Sequence, residues 1–248
     1  MAVVTAPAGA RIVDLGGVLT GPQAASLAQD GVWGVLLDLA TPGIAPSIET
    51  ARMNGLHVGV FQGYYPAAFI DPQAADQRAQ WALTVLHSAD ALEPGLTVWL
   101  DWEAVPARDT VPAAEAWINA WNAVVVKAQG IAGLYEGANQ PLNGQELYAG
   151  LTSTRYWRSC SASVPVVFDR GYCLVQTACG QTVAGVGVDL DTAQTDHLGG
   201  QATFLTPRVA VQTQTWAPES QVRALTDRVT TLESALRQAG AALKGVGA

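Results

Sequence analysis

The sequence predicts an α/β protein built on an irregular (β/α)8, TIM-like barrel and followed by a C-terminal coiled-coil helix. Eight short apolar segments recur along residues 11–205, helical segments separate most of them, and a heptad repeat follows near residue 222. Apolar strands that alternate with helices are typical of parallel βα units, and eight units can close a barrel. The alternative is an open doubly wound sheet. It is disfavoured because no Gly-x-Gly-x-x-Gly motif follows the first strand.

The predicted strands are the short apolar segments at residues 11–15, 32–38, 56–62, 96–103, 131–135, 155–159, 174–177 and 186–190, with an optional extra strand at 164–168. The predicted helices cover residues 20–30, 42–54, 71–87, 111–129 and 142–151. Asp71 and Pro72 have the residue types of an N-cap and a first helical position, and Gly55 and Gly130 are typical of helix ends. Helices are short or missing after the fifth strand, so we expect an irregular barrel there.

The predicted organisation has four parts: an N-terminal tail at residues 1–10, the barrel at 11–205, a linker at 206–218 and a coiled-coil helix at 219–248. In the last part, apolar residues alternate at spacings of three and four, as the a and d positions of a coiled coil do. These residues are Val222, Leu225, Val229, Leu232, Leu236, Ala239, Leu243 and Val246. The pattern predicts a parallel, self-associating helix over residues 220–246. An amphipathic helix docked on the barrel is the alternative.

Composition limits the classes of partner. The formal net charge is -8 and no Lys/Arg cluster occurs, so nucleic-acid binding is not expected. No apolar run reaches the ~18 residues of a membrane span, and the N-terminus lacks the features of a secretory signal peptide. Three cysteines allow one disulfide, and Cys173 with Cys179 is the expected pair if the geometry permits. No Cys or His spacing predicts a metal site.

The segment Thr97–Glu103 is predicted to be a buried strand that ends in two carboxylates. Strand side chains alternate with period two, so Trp99, Asp101 and Glu103 share one face while Trp102 points to the other. The Cα atoms of the two acids then lie roughly 6.6 Å apart. Mutual repulsion and desolvation between the tryptophans are expected to raise the pKa of one acid. A protonated acid beside an ionised one suits glycoside hydrolysis, and acids that bind loop amides are the alternative.

The C-terminal ends of barrel strands carry the functional side chains of this fold class. The acids predicted at these ends are Asp14, Asp38, Asp101, Glu103, Asp189 and Asp191. The aromatic and amide side chains predicted beside them are Tyr64, Trp102, Tyr135, Trp157 and Gln176. Aromatic rings stack on the apolar faces of sugars while acids serve the glycosidic oxygen, so this set predicts a glycan site. Core packing is the alternative for each aromatic residue, and it is the preferred one for Trp33, Trp81, Trp117 and Trp121.

The order of these motifs resembles that of the glycoside hydrolase family 25 lysozymes. It resembles still more the related glycoside-hydrolase-like domain of unknown function 1906. The resemblance covers residues 11–205, and its most specific part is Leu100-Asp-Trp-Glu103, which is similar to the family's Asp-x-Glu at the end of strand four. The other similar segments are Gly133–Tyr135, Tyr156–Ser159, Leu174–Thr177 and Gly187–Asp191.

The resemblance implies a barrel that cleaves β-1,4 bonds of peptidoglycan without a metal or an organic cofactor. It implies that Glu103 is the general acid, that Asp101 and Asp189 orient the substrate and stabilise the transition state, and that Asp14 matches the acid of strand one. The strand-end positions predict substrate binding by the remaining set, which is Asp38, Tyr64, Trp102, Tyr135, Trp157, Gln176 and Asp191.

The leading hypothesis is a peptidoglycan-directed glycosidase of a bacteriophage tail or lysis apparatus. A barrel with a short oligomerising helix and no signal peptide suits a virion protein that meets the bacterial cell wall. Its expected partners are a cell-wall glycan, further copies of itself and other phage tail proteins. One alternative is a catalytically silent glycan-binding or structural tail protein on the same barrel. Another is a phosphodiesterase that holds a hard divalent cation in the acid cluster.

Overall fold

Residues 2–63, 72–103 and 110–208 are described by a computed structural model of the chain. These residues form ten strands and five helices, and eight of the strands close a barrel. The prediction of an irregular TIM-like barrel is therefore confirmed. Tyr64, the helix cap at Asp71 and the segment beyond residue 208 lie outside the described residues. The linker and coiled coil placed in that last segment stay predictions.

In chain order the strands are β1 Val3–Thr5, β2 Arg11–Leu15, β3 Gly34–Asp38, β4 His57–Gln62, β5 Thr97–Trp102, β6 Ile131–Glu136, β7 Arg155–Arg158, β8 Leu174–Val183, β9 Val186–Ala193 and β10 Thr203–Leu205. The helices are α1 Gly21–Gln29, α2 Ile44–Met53, α3 Pro72–Ser88, α4 Val111–Lys127 and α5 Gly144–Ala149. Within the described residues, the predicted strands and helices are present except the optional strand at 164–168, where residues 164–167 have no regular secondary structure.

The barrel combines parallel and antiparallel pairing. Strands β2 to β8 pair in parallel in sequence order, whereas β9 lies antiparallel between β8 and β2 and completes the ring. The reversal comes from a two-residue turn between β8 and β9, where Ala184 and Gly185 both have positive φ, at 50° and 80°. Turns of this kind match the twist of a hairpin. The irregularity therefore lies where the sequence lacks helices.

Two short strands lie outside the barrel ring. Residues 3–5, which we expected in an N-terminal tail, form β1 and pair with β10, and β10 in turn pairs with β4. Phe204 of β10 is fully buried among the residues inside the barrel. Gly59 makes room for it, because a Cβ atom at Gly59 would lie 2.7 Å from the Phe204 ring. The tenth strand thus contributes to the inner core.

Side chains alternate along β5 as predicted, so they pack into two separate hydrophobic cores, one inside the barrel and one between the barrel and its helices. Trp99 lies inside the barrel, and Gly133 on β6 lacks the side chain that would clash with its ring. Trp102 points outward and packs on Trp117 of α4, with ring centroids 5.9 Å apart. Core packing is also observed for Trp121. Period-two alternation therefore accounts for which tryptophan faces which layer.

We expected Trp81 to pack in the core, but 38% of its surface is exposed. The reason is its helical position. It lies on α3 in a solvent-facing stripe at spacings of three and four, which also contains Gln77, Gln80 and Thr84. No helix among the described residues is both long enough and apolar enough to cross a membrane.

The expected disulfide pairing is wrong. Cys160 and Cys179 form the bridge, with Cα atoms 6.2 Å apart, while Cys173 is a buried free thiol. Cys173 immediately precedes β8 and Cys179 lies within it, so an extended chain separates them by roughly 20 Å. That separation is far beyond disulfide reach. The bridge instead joins the segment after β7 to the outer half of β8.

Candidate active site

A cavity of about 130 Å³ lies where the parallel strands of the barrel end. It is lined by Asp14, Phe61, Asp101, Glu103, Tyr135, Trp157, Gln176 and Asp189. The structure therefore brings together all four acids to which we assigned catalytic roles, along with three of the side chains predicted to bind substrate. Their roles stay predictions. Phe61 was not among the predicted residues, although its position near the end of the third predicted strand was a signal that could have found it.

Strand register explains why these side chains meet. Asp101 on β5 lies beside Tyr135 on β6, which lies beside Trp157 on β7. On the other side of the cavity, Asp14 on β2 pairs with Asp189 on β9. Because β9 is antiparallel, Asp189 lies within the strand rather than at its C-terminal end. It reaches the cavity because it pairs with Asp14. The cavity thus collects carboxylates from three separate strands and from the residue after β5.

Gln176 connects the acids on β2 and β9. Its side-chain amide nitrogen donates hydrogen bonds to Asp14 Oδ2 at 2.9 Å and to Asp189 Oδ2 at 3.1 Å. Its amide oxygen accepts from the Tyr135 hydroxyl at 3.1 Å and from the backbone N–H of Cys160 at 3.0 Å. These four contacts use every donor and acceptor position of the amide. Gln176 therefore fixes the relative positions of Asp14 and Asp189.

Asp191 lies behind the cavity rather than on its lining, and only 1% of it is exposed. Its Oδ1 atom accepts a hydrogen bond from the Trp157 indole at 2.7 Å, and its carboxyl group is hydrogen-bonded to that of Asp14. Two carboxyl groups can share a hydrogen bond only when one of them holds a proton. Burial, followed by the charge of Asp14, raises the pKa of Asp191 well above its ordinary value. We infer that Asp191 holds this proton and donates it to the Asp14 carboxylate.

Asp14 itself titrates near neutrality. Burial raises its pKa from 3.8 to about 6, although the hydrogen bonds with Asp191 and Gln176 act in the opposite direction. The charges of Asp189 and Glu103 contribute further to the increase. Asp14 is thus an acid whose ionisation depends on its neighbours, as expected for a group in a functional site.

Glu103 is half-buried at the cavity. Burial, and then the charge of Asp189, raises the pKa of Glu103 above its ordinary value. The sequence had indicated Asp101 as the repelling partner, whereas Asp189 from β9 has this effect in the structure. The backbone of Gly137, just after β6, packs directly against Glu103, and a Cβ atom at Gly137 would overlap both its Cβ atom and its carboxylate. Gly137 therefore limits where the Glu103 side chain can lie.

Tyr135 remains a hydroxyl donor within this acidic surrounding. Burial, followed by the charges of Glu103 and Asp101, raises its pKa above the ordinary value for tyrosine. Its ring contacts that of Trp157 edge to face, with centroids 4.5 Å apart. The two rings line the cavity beside Asp101 and across from Asp14 and Asp189, and Trp157 is almost fully buried there. An arrangement of this kind suits a sugar, which has both hydroxyl groups and apolar faces.

Two predicted substrate-binding residues lie away from the cavity. Asp38 Oδ1 accepts hydrogen bonds from the backbone N–H groups of Ala40 at 2.9 Å and of Gly63 at 3.0 Å, so this acid binds loop amides. Trp102 lies on the helix side of β5, because successive side chains of a strand point to opposite faces. Strand-end position alone therefore overestimated the number of residues that face the cavity.

Among the described residues, no three His, Cys, Asp or Glu side chains are arranged to hold a metal ion. A divalent-metal phosphodiesterase therefore has no supporting ligand set in this part of the chain. What the cavity offers is a half-buried acid, three further carboxylates and a neutral amide that connects two of them. Such a set can donate a proton and stabilise positive charge.

Comparison with known proteins identifies the fold. No protein-family model and no curated protein matches the chain. The Tat-secreted protein Rv2525c of Mycobacterium tuberculosis, solved in complex with L-tartrate, is 16% identical with a TM-score of 0.58, over 79% of this chain and 99% of that one. An uncharacterized B. stearothermophilus protein is 16% identical with a TM-score of 0.59, over 78% and 100% of the two chains.

The spore cortex lytic enzyme SleM of Clostridium perfringens is also similar. It is 14% identical with a TM-score of 0.55, over 77% of this chain and 69% of that one. At these low identities the similarities show that the three proteins share the barrel fold of this chain. Function has to be argued from the site itself.

Proposed function

We propose that this protein is a glycoside hydrolase that acts on cell-wall peptidoglycan and that Glu103 is its general acid. The observation that carries the proposal is the half-buried Glu103 carboxyl group, which has a raised pKa and shares one cavity with Asp14, Asp101 and Asp189. Glycosidic bond cleavage needs an acid that keeps its proton beside carboxylates that have lost theirs. The shared fold with a spore cortex lytic enzyme is the reason for choosing a cell-wall substrate.

In this mechanism Glu103 donates its proton to the oxygen of the departing sugar. Positive charge then develops on the sugar ring that remains, and Asp101 and Asp189 stabilise it electrostatically. A water molecule adds to the anomeric carbon of this sugar and returns a proton to Glu103, which completes the hydrolysis. Gln176 holds Asp189 beside Asp14 and keeps both carboxylates directed towards the cavity. The ring of Tyr135, across the cavity from Asp14 and Asp189, contacts the apolar face of the sugar.

The first test is the Glu103→Gln variant. The amide keeps the shape of the side chain but cannot donate a proton as the acid does, so we expect turnover of purified peptidoglycan to fall by roughly 10²–10⁴-fold. The measurement is the release of new reducing ends from purified cell walls. Thermal unfolding of both proteins establishes that the fold is retained.

The matched control is Glu136→Gln at the end of the neighbouring strand. Glu136 is fully buried outside the cavity, accepts a hydrogen bond from the Tyr172 hydroxyl at 3.2 Å, and has a pKa that burial raises well above its ordinary value. An amide there resembles the protonated acid, so we expect wild-type turnover. Equal activity of Glu103→Gln and wild type would contradict the proposal. Glycan binding without turnover by the wild type would favour the silent binding protein instead.

We further propose that the protein belongs to a bacteriophage tail or lysis apparatus and meets the cell wall there. The support is the heptad pattern over residues 220–246, which would join several barrels into one assembly. In such an assembly other tail proteins are its partners. Detection of the chain in purified virions by mass spectrometry tests the tail location, and its absence from them would contradict that location.

A further inference from the structure

A larger hollow of about 390 Å³ adjoins the carboxylate cavity, and Asp14 and Asp189 line both. Three glycines also line this hollow, and we call it the glycine groove. These glycines are Gly16, Gly180 and Gly187. The groove is about three times as large as the carboxylate cavity, and it begins at the two acids that Gln176 connects.

The groove exists because a glycine lies beyond each of the two acids. β2 ends at Leu15, and Gly16 follows directly, two positions beyond Asp14. On β9, Gly187 precedes Asp189 by two positions, so it continues the row of side chains that contains this acid. Because β2 and β9 are antiparallel with Asp14 opposite Asp189, both glycines lie beyond the acids in the same direction. Beyond the two acids, Gly16 and Gly187 therefore expose their main chain, and no side chain of the described residues fills the space beside it.

The wall of the groove is held in place from several sides. Gly180 donates its backbone N–H to Asp189 Oδ1 at 2.5 Å, and the neighbouring Cys179 is tied by its disulfide to Cys160. Beyond these contacts, β8 and β9 continue as a hairpin that ends at the tight turn of residues 184 and 185. The groove is thus part of the folded structure and adjoins a fixed pair of acids.

The chemistry of the groove suits an uncharged polar ligand. Apart from the two shared acids, its polar side chains are the neutral Gln181 and Thr182, and the glycines expose peptide groups. Hydroxyl and acetamido groups of a sugar can exchange hydrogen bonds with such a surface. Within the part of the chain that the structure describes, no basic or aromatic side chain lines it.

We propose that the glycine groove binds the sugar unit next to the bond that is cleaved, so that the protein recognises the interior of a glycan chain rather than its end. This inference rests on the proposed function, because it assumes that the bond to be cleaved lies at the carboxylate cavity. A chain held there continues past Asp14 and Asp189, and the groove is the adjoining space on that side. Longer oligosaccharides should therefore bind more tightly than short ones.

The test fills the groove with side chains. Gly187→Leu and Gly16→Leu are suited to it, because neither glycine has a positive φ and a Cβ atom at either position would have no heavy atom within 4 Å. Binding of the N-acetylglucosamine dimer and hexamer is measured by calorimetry on full-length protein in the Glu103→Gln background, which prevents turnover. We expect the background protein to bind the hexamer at least ~10-fold more tightly than the dimer, about 1.4 kcal/mol. In both leucine variants this ratio should fall towards one.

The control is Thr84→Leu on the solvent-facing side of α3, which adds a leucine without touching the groove and should leave the ratio unchanged. A ratio that stays the same in both groove variants, or a hexamer that binds no better than the dimer at the outset, would overturn the inference. Failure of the proposed function has a different signature. In that case the wild-type chain shows no turnover, while the length dependence and its loss in the leucine variants persist.

Discussion

Two acids of the cavity, Asp14 and Asp189, face each other across paired strands, where like charges repel. The structure offsets this repulsion with neutral and protonated groups. Gln176 donates one hydrogen bond to each acid, and the protonated Asp191 donates another to Asp14 from behind. Asp14 can thus remain available for ionisation at a pKa of about 6, instead of being held permanently neutral.

Gly137 provides a prediction at the scale of one residue. Replacement by alanine would place a methyl group where the Glu103 side chain now lies, so the acid has to move. Displacing a catalytic group by about 1 Å can cost on the order of 10²-fold in rate. We therefore expect Gly137→Ala to reduce peptidoglycan turnover by about that factor, measured as initial rates of reducing-end release.

Gly17→Ala is the matched control for that prediction. A Cβ atom at Gly17 would have no heavy atom within 4 Å, and its φ is not positive, so turnover should remain that of the wild type. The pH dependence of the rate adds a second criterion, because a moved Glu103 loses part of its burial and its pKa should return towards the ordinary value. Wild-type kinetics in Gly137→Ala would show that this contact does not position the acid.

The sequence was sufficient to place Asp101 and Glu103 on one face, because strand alternation depends only on local geometry. It was not sufficient to separate cavity residues from their neighbours. The same alternation pointed Trp102 away from Asp101, yet its position at a strand end led us to expect substrate binding. The burial of Asp191 and the loop contacts of Asp38 depend on residues far along the chain, which no local pattern contains.

At the scale of elements, the hairpin of β8 and β9 departs furthest from the prediction. Only residues 174–177 of β8 were expected, because the rest of the strand is largely polar or small and carries register shifts around Ala178. Such a segment lacks the apolar alternation by which strands are recognised. The hairpin nevertheless supplies Gln176, Asp189 and one wall of the groove, so the least predictable element contributes most to the site.

The disulfide that holds this hairpin gives a prediction at the same scale. The double variant Cys160→Ser/Cys179→Ser should unfold with a free energy lower by about 3 kcal/mol, because the bridge closes a loop of 19 residues in the unfolded chain. Denaturant unfolding followed by tryptophan fluorescence measures the difference. A reducing agent should lower the stability of the wild type by a similar amount and leave the double variant unchanged. Equal stability of the two oxidised proteins would contradict this account.

At the scale of the whole molecule, the closed ring of eight strands followed from the regular alternation of apolar and helical segments. The added strands β1 and β10 did not, since each has only three residues. Strands that short carry no periodic signal, and their pairing joins residues about two hundred positions apart. Their formation depends on the completed barrel, against which Phe204 packs.

The heptad pattern yields a prediction about assembly. Val222, Val229, Leu236 and Leu243 occupy the a positions, and a parallel coiled coil over residues 220–246 would bury them between chains. Light scattering should therefore show a dimer or trimer for the full-length protein and a monomer for a chain that ends at Trp216. A full-length protein that stays monomeric at tens of micromolar would contradict the coiled coil and favour a helix docked on its own barrel.

Hydrolysis of a glycosidic bond at the carboxylate cavity is tested most directly by labelling the newly formed sugar ends. Purified peptidoglycan is incubated with the full-length protein, the soluble products are reduced with sodium borodeuteride, and mass spectrometry locates the deuterium. We predict deuterium on newly formed reducing-end amino sugars with the wild type, and its loss with Glu103→Gln. Soluble products without labelled sugar ends, or equal labelling by the two proteins, would contradict the assignment of this cavity as a glycosidase site.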